Sequence, residues 1–268
     1  EGGRARGVRI LTGSAVVEAR GSKRVTGARI CAIDVASFKV TSPGEVLDCD
    51  LIVSSGGYSP VVHLASHLGG RPVWQEKLLA FVPGEGLQKR VCAGAVKGVF
   101  ALGDTLADGF EAGVLAASES GFKAVIGTLP SAEMRHEEAS LALFQVPHDK
   151  PTARAPKQFV DFQNDVTAAG IELATREGFE SVEHVKRYTA LGFGTDQGKL
   201  GNINGLAIAA RSLGISIEQM GTTMFRPNYT PVPFGAVAGR HCGALFEPNR
   251  YTAMHAWHVA NGAEFEDV

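Results

Sequence analysis

The sequence has no apolar run near the roughly 18 residues that a bilayer-crossing helix needs, so no membrane partner is expected. It also lacks a surplus of one charge. Lys plus Arg is 26 and Asp plus Glu is 28, a formal net charge of −2, which excludes the general basic field of a nucleic-acid binder. Cysteine is scarce: Cys31, Cys49, Cys92 and Cys242 form no C-x-x-C pair and lie far apart. A disulfide framework is therefore not expected, and inert reduced thiols in a cytoplasmic protein are. The opening residues show no charged-then-apolar signal-peptide pattern. No internal repeat is found. Ser54-Ser55 before Gly56 is not the G-x-S-x-G of an acyl-transfer nucleophile. His63 and His67 are four residues apart, a spacing that shares a helix face, but no third metal ligand accompanies them. His255 and His258 have no carboxylate at a signature spacing either. Both pairs read as surface histidines, and no metal site is expected.

What is present is an ordinary globular composition, 44% apolar and 20% charged over 268 residues, enough for one large domain or two small ones. The first 130 residues read as β-rich with glycine punctuation. Strands are expected at Val8–Leu11, Ala15–Ala19, Val25–Ile33, Asp50–Ser54 and Val99–Leu102. The last two run into Ser55-Gly56-Gly57 and Gly103-Asp104. Helix-like apolar spacing follows over Glu111–Gly127, at Val114, Leu115, Phe122, Val125 and Ile126. A strand, a Gly-Asp turn and a helix make an α/β unit. Pro130, Pro147, Pro151 and Pro156 then frame a polar stretch, and residues 148–157 (HDKPTARAPK) read as a linker.

Beyond the linker the pattern turns helical. Thr167 is placed to cap a helix over Ala168–Glu177, with Gly178 after it. Ser181 is placed to cap a second helix running to about Tyr188. Asn204–Leu213 suits a third, ended by Gly214. Ser216 and Gln219 have capping-box spacing. Arg226–Phe234 holds three prolines and is expected to be extended or turn-like.

Two segments of the first half suggest nucleotide chemistry, residues 50–60 and residues 99–106. Glycines such as Gly56, Gly57 and Gly103 let a backbone approach a dinucleotide closely. A carboxylate such as Asp104 accepts hydrogen bonds from sugar hydroxyls, and with Thr105 and Leu106 it opens a helix whose positive end suits a pyrophosphate. The same segments also suit plain strand-end turns of an α/β sheet. No G-x-G-x-x-G follows a strand anywhere. In the second half, Lys199, Thr222, Thr223 and Arg226 supply hydroxyls and cations of the kind that hold a phosphate. They also suit a polar loop packed on a neighbouring subunit.

The glycine pair resembles the two signatures of flavoproteins with two dinucleotide-binding domains. Longer stretches narrow the resemblance: Val8–Val16, Asp48–Leu51, Gly56–Leu64, Ala80–Gly84, Phe159–Thr167, Ser181–Thr189 and Thr222–Pro231 are similar to the α subunit of heterotetrameric sarcosine oxidase. The resemblance implies an α/β fold with four parts. Residues 1–147 would be the C-terminal part of a FAD/NAD-type dinucleotide-binding region, followed by the linker at 148–157. Residues 158–245 would be a helical domain like that of bacterioferritin-associated ferredoxin. Residues 246–268, with Thr252–His258 and Gly262–Phe265, would be the truncated start of an aminomethyltransferase-like folate domain. The chain is thus expected to be an internal fragment. The helical module ordinarily binds a two-iron two-sulfur cluster through C-x-C and a later C-x4-C. Asp161, Gln163, Asp196 and Gly201 stand at those positions, none a thiolate, so no iron–sulfur cluster is expected.

The resemblance further implies oxidative demethylation of sarcosine to glycine with dioxygen and tetrahydrofolate, giving hydrogen peroxide and methylenetetrahydrofolate. NAD would meet a partial site at Gly56, Gly57, Gly103, Asp104, Thr105 and Leu106. FMN would lie at the interface with the β subunit, its phosphate one target of Lys199, Thr222, Thr223 and Arg226. FAD would belong to the β subunit, with γ and δ subunits completing the complex, and the fragment would carry no catalytic residue of its own. A subunit of a related opine or amine oxidase, and a non-catalytic docking module, are the alternative expectations.

Overall fold

A computed structural model describes residues 6–123, 127–129, 131–132, 141–227, 230–246 and 248–266. The chain divides into two units, residues 1–229 and 230–268.

The first unit opens with an antiparallel sheet. β1 (Ser14–Gly21) and β2 (Val25–Asp34) form a hairpin with Ser14 opposite Ala32 and a bulge between Val16 and Glu18. β2 also pairs with β3 (Lys39–Val40) and with β4 (Glu45–Asp48). Val17, Gly27, Ala28 and Cys31 are its buried residues, so the central strand β2 is covered at positions on both of its faces. The β3–β4 connection passes so close that a Cβ on Gly44 would meet Cys31 Sγ and Ile30 O, and its φ of +79° is a glycine conformation. After an irregular stretch come α1 (His63–His67), a hairpin of β5 (Val73–Gln75) and β6 (Ala80–Val82), a 3₁₀ turn at Gly94–Lys97, and α2 (Leu102–Glu119).

The helical part begins at β7 (Phe159–Asp161) and β8 (Val166–Thr167) and continues through α3 (Ala168–Arg176), α4 (Val182–Thr189), α5 (Asn202–Leu213) and α6 (Ile217–Met220). Three of the expected caps form, while Ser181 stands at the N-cap of α4 but makes no side-chain capping bond. Thr167 Oγ1 accepts from the Gly170 amide, Ser216 and Gln219 make a reciprocal capping box, and Gly214 closes α5 in the left-handed conformation. The main core lies here: Ile171, Val185, Leu191, Leu206 and Ile208 are at most 1% exposed. Phe81 of β6 belongs to this core and Trp74 packs on it, so the β5–β6 hairpin is anchored to the helices. α5 lies tight against this core, since a Cβ on Gly205 would sit 2.5 Å from Leu191 Cδ2. The linker is tied in as well. Arg29 pairs with Asp149 at 2.8 Å and Thr152 donates to Glu172 of α3, while just before the linker Gln145 accepts from Arg211, which stacks 4.0 Å above the Phe38 ring.

The second unit holds α7 (Phe234–Ala238), a 3₁₀ turn at Gly243–Leu245 and α8 (His255–Ala260). None of its described residues is buried.

Several expected elements are corrected. Val8–Leu11, Asp50–Ser54 and Val99–Leu102 are not strands. Leu51 and Val53 are 70% and 81% exposed, so Asp50–Ser54 is not buried either. Among the described residues every strand pairing is antiparallel, so the parallel sheet of an α/β nucleotide unit does not form. A short apolar run becomes a strand only where a neighbour completes its ladder, and among the described residues these runs have none. The helix expected over Glu111–Gly127 starts earlier, at Leu102, and ends at Glu119, with Val125 and Ile126 outside the described residues. Gly103 and Asp104 are therefore in the first turn of a helix, where the carboxylate complements the positive end. The proline-rich stretch is irregular as expected up to Pro233, with Asn228 and Tyr229 outside the described residues.

Truncating Ile171 to Ala is expected to cost about 2–5 kcal/mol, because a fully enclosed side chain leaves a cavity. Leu51→Ser, at an exposed site, is expected to change stability by less than about 0.5 kcal/mol. Urea unfolding of the two variants beside the parent chain checks the contrast, and similar losses in both would refute this placement of the core.

Candidate functional site

Two features of the first unit offer chemistry. The first is a cavity of about 880 Å³, within the range of small-molecule sites (roughly 300–1,000 Å³). Residues from the 58–68 stretch, including Tyr58 and Leu64, form one side, and Cys92, Val96 and Phe100 form the other. The Tyr58 and Phe100 rings stand 6.0 Å apart. Its charged lining residue is Arg90, which donates to the carbonyls of Ala65 and Gly84 and so pins α1 to the segment after β6. The opposite wall is held to α2 through Asp108, whose carboxyl accepts from Lys97 and, at 2.6 Å, from the Gly94 amide. Those two bonds, the lysine first, hold the Asp108 carboxyl below the usual carboxylate range.

The second feature is a polar cluster where α1 meets the loops at 190–201 and 221–227. His63 of α1 is buried, with its ring 3.8 Å from that of Phe225. Gln197 brackets the backbone of Arg226: its Nε2 donates to the Arg226 carbonyl at 3.2 Å and its Oε1 accepts from the Arg226 amide at 3.0 Å. His67 Nε2 donates to the same carbonyl at 2.5 Å. Asn202 Nδ2 donates to the Thr223 hydroxyl at 3.1 Å, and the Met224 amide donates to Glu183 Oε1 at 2.8 Å. Lys199 Nζ reaches the Asp196 carbonyl at 3.3 Å. The loop is thus fixed by its backbone while the Arg226 side chain remains exposed. Burial, reinforced by the charge of nearby Lys199, pushes His63 down to about 4.

The residues expected from sequence fall as follows. Gly56 and Gly57 lie in an exposed irregular segment, and a Cβ at either would meet nothing within 4 Å. Their neighbour Tyr58 lines the cavity. Gly103, Asp104, Thr105 and Leu106 occupy the first turn of α2, close in sequence to the cavity residue Phe100. The Thr105 hydroxyl is engaged with the Val99 carbonyl at 2.9 Å. Lys199, Thr223 and Arg226 share the second cluster. Thr222 is half-buried beside them, and Thr223 is 2% exposed, so its hydroxyl braces the loop from inside.

Asp161, Gln163 and Asp196 also meet. Asp161 accepts from the amides of Gln163, Asn164 and Gly192, and Gln163 Oε1 accepts from the Asp196 amide at 3.4 Å. Gly201 is packed against Val160, whose carbonyl oxygen would lie 2.2 Å from an added Cβ. Among the described residues no group of three or more His, Cys, Asp or Glu has metal-holding geometry. His63, His67, Gln197 and Phe225 are the members of the polar cluster not singled out as ligand-facing beforehand. The i, i+4 histidine spacing was the available signal, and it led to a loop carbonyl instead of a metal.

The unfolded chain takes up a proton on His63 near pH 6.5, whereas the folded site refuses it until about pH 4. Stability therefore falls as pH drops through that window. His63→Gln is expected to flatten that fall. Urea midpoints at about pH 7.5 and about pH 5 check the sign, and equal losses in parent and variant would refute it.

With this geometry in place, comparison with known proteins identifies relatives. Residues 155–240 match the family model of the sarcosine oxidase A3 domain. The chain is 37% identical over 98% of its length to sarcosine oxidase subunit alpha of Corynebacterium sp. (strain P-1), covering 27% of that protein. It is 38% identical over 98% of its length to the subunit of Corynebacterium sp. (strain U-96), again covering 27%. Against the subunit of Rhizobium meliloti (strain 1021) it is 38% identical over 90% of its length, covering 24%. Among solved structures, L-proline dehydrogenase from P. horikoshii superimposes with a TM-score of 0.58 at 17% identity, over 84% of this chain and 44% of that one, a likeness of fold. Over nearly its whole length the chain is therefore a homologue of sarcosine oxidase subunit alpha, and it spans about a quarter of the length of that subunit.

Proposed function

We propose that the chain serves as part of the α-type subunit of an oxidoreductase complex that oxidatively demethylates sarcosine. The observation that carries this reading is the homology across 98% of the chain to proteins of that name. In this reading a β-type subunit with FAD performs the oxidation, and γ- and δ-type subunits complete the assembly. Electrons pass to FMN at the α–β boundary and then to dioxygen, while the one-carbon unit goes to tetrahydrofolate. The segment described here contributes no catalytic residue. It contributes walls and contacts.

Two of its features support such roles. The aromatic-walled cavity beside the first turn of α2 has the size and lining of a nucleotide's base and ribose pocket. There Gly56, Gly57 and Gly103 to Leu106 would border NAD, although the sequence lacks the phosphate-cradling glycine loop. The polar cluster holds Arg226 by its backbone and leaves its guanidinium exposed, which suits the phosphate of FMN, and Lys199 of the same cluster adds a second cation. When bound, FMN supplies electron transfer, and this chain's part is to seat and orient it. The exposure of Phe234, Val237 and Leu245 in the second unit suits a docking role in the same complex.

Co-purification with a β-type sarcosine oxidase subunit is expected to give a yellow complex that forms peroxide when sarcosine is added. A colourless chain that gains no flavin in the partner's presence would overturn the proposal. NAD alone is expected to bind this chain more weakly than micromolar, because half the phosphate-binding apparatus is missing. Calorimetric titration measures this, and micromolar or tighter binding contradicts the partial-site reading.

A further inference from the structure

Lys186 was not among the residues that the sequence singled out, yet the fold sets it beside Arg226. The bond from the Met224 amide to Glu183 Oε1 lays the 221–227 loop across α4. Lys186 lies three residues after Glu183, so it shares that face of the helix. Its ammonium stands 5.5 Å over the ring of Phe193, which is itself 54% exposed. Arg226 lies two residues beyond Met224 in a backbone that Gln197 and His67 hold in place. Neither Lys186 nor the Arg226 guanidinium has a hydrogen bond or ion pair to a carboxylate among the described residues.

The one carboxylate at hand is already committed. Glu183 gives one oxygen to the Met224 amide and the other to Arg187 at 3.2 Å. Lys186 and Arg187 share α4 with Glu183, and Arg226 is near enough to act on the Lys186 charge, so the local charge is positive. Burial first, and then the charges of Arg226 and Arg187, hold the Lys186 ammonium below its usual range despite the opposing pull of Glu183. Held this way, two like charges repel at some cost, and a doubly charged anion between them relieves it.

We propose that Lys186 and Arg226 form an anion seat, floored by Phe193, that takes a phosphomonoester. The seat deepens the flavin-phosphate reading. It rests on that reading for the owner of the phosphate, and on the two cations alone for the capture of the group. Lys186 donates as a point charge from one side and Arg226 presents its planar fork from the other. The Phe193 face beside them accommodates an attached carbon skeleton.

The test uses the full chain and inorganic phosphate, followed by ³¹P line broadening at constant ionic strength, and then FMN, followed by quenching of its fluorescence. Phosphate is expected to bind in the millimolar range. Lys186→Gln and Arg226→Gln are each expected to weaken it by about tenfold, the loss of one charge-assisted contact. Lys186→Arg is expected to retain binding. Arg187→Gln, which removes a neighbouring charge already paired to Glu183, is expected to change affinity by less than about twofold. Circular dichroism confirms that each variant is folded, which the backbone-only anchoring of Arg226 favours. Absence of phosphate binding in the parent chain, or equal losses in all three neutralised variants, overturns the seat. Phosphate binding that depends on Lys186 and Arg226, with no binding of FMN, upholds the seat and overturns the flavin assignment.

Discussion

The carboxyl group of Asp161 organises the second half of the molecule. It is 6% exposed and accepts three backbone amides: two from its own turn, Gln163 and Asn164, and one from Gly192 in the loop that follows α4. Hydrogen bonds to a charged group contribute about 1.5–3 kcal/mol each, and a buried carboxyl left without them carries a large desolvation cost. Through that single side chain the β7–β8 turn and the 190–201 loop become one body. The loop then carries Gln197, Gln197 carries Arg226, and the Arg226 carbonyl receives His67 from the first half. The geometry of the polar cluster is therefore inherited, step by step, from a residue that takes no part in it directly.

Aliphatic packing and polar connection divide the labour. Ile171, Leu191, Leu206 and Ile208 supply the area removed from water, and glycines at the crossing points set how closely elements approach. The polar bonds supply register. Arg211 shows both: it donates to Gln145 just before the linker and lies over Phe38 in the β2–β3 turn, and burial holds it below the usual arginine range in spite of Glu172 nearby. A linker that reads as loose in composition is in this way stitched to structure on either side of it.

Local chemistry made the helical half legible. Thr167, Ser216 with Gln219, and Gly214 act on amides or carbonyls within a few residues, so their effect can be read without knowing the rest of the chain. The β1–β2 hairpin was legible for the same reason. The runs at Asp50–Ser54 and Val99–Leu102 were misread because a strand is a relation between two segments, and alternation or apolarity in one says nothing of whether the other is present. The polar cluster was legible in part. Lys199, Thr223 and Arg226 were grouped by their chemistry, but the bracket of Gln197 around Arg226 and the burial of His63 join residues more than 25 positions apart, and no spacing rule reaches that far. Lys186 was hidden for a further reason: on its own helix it looks like an ordinary basic residue complementing a C-terminal end.

The unpaired ribbon at Leu51–Ser54 has a practical consequence for the life of the chain. Its amides and carbonyls belong to no ladder and its leucine and valine face water, which is the form in which a protease accepts a substrate and in which a second ribbon adds itself edge to edge. Turnover in an extract and clumping at high concentration thus share one place to start, and whatever lies along these residues closes it to both at once.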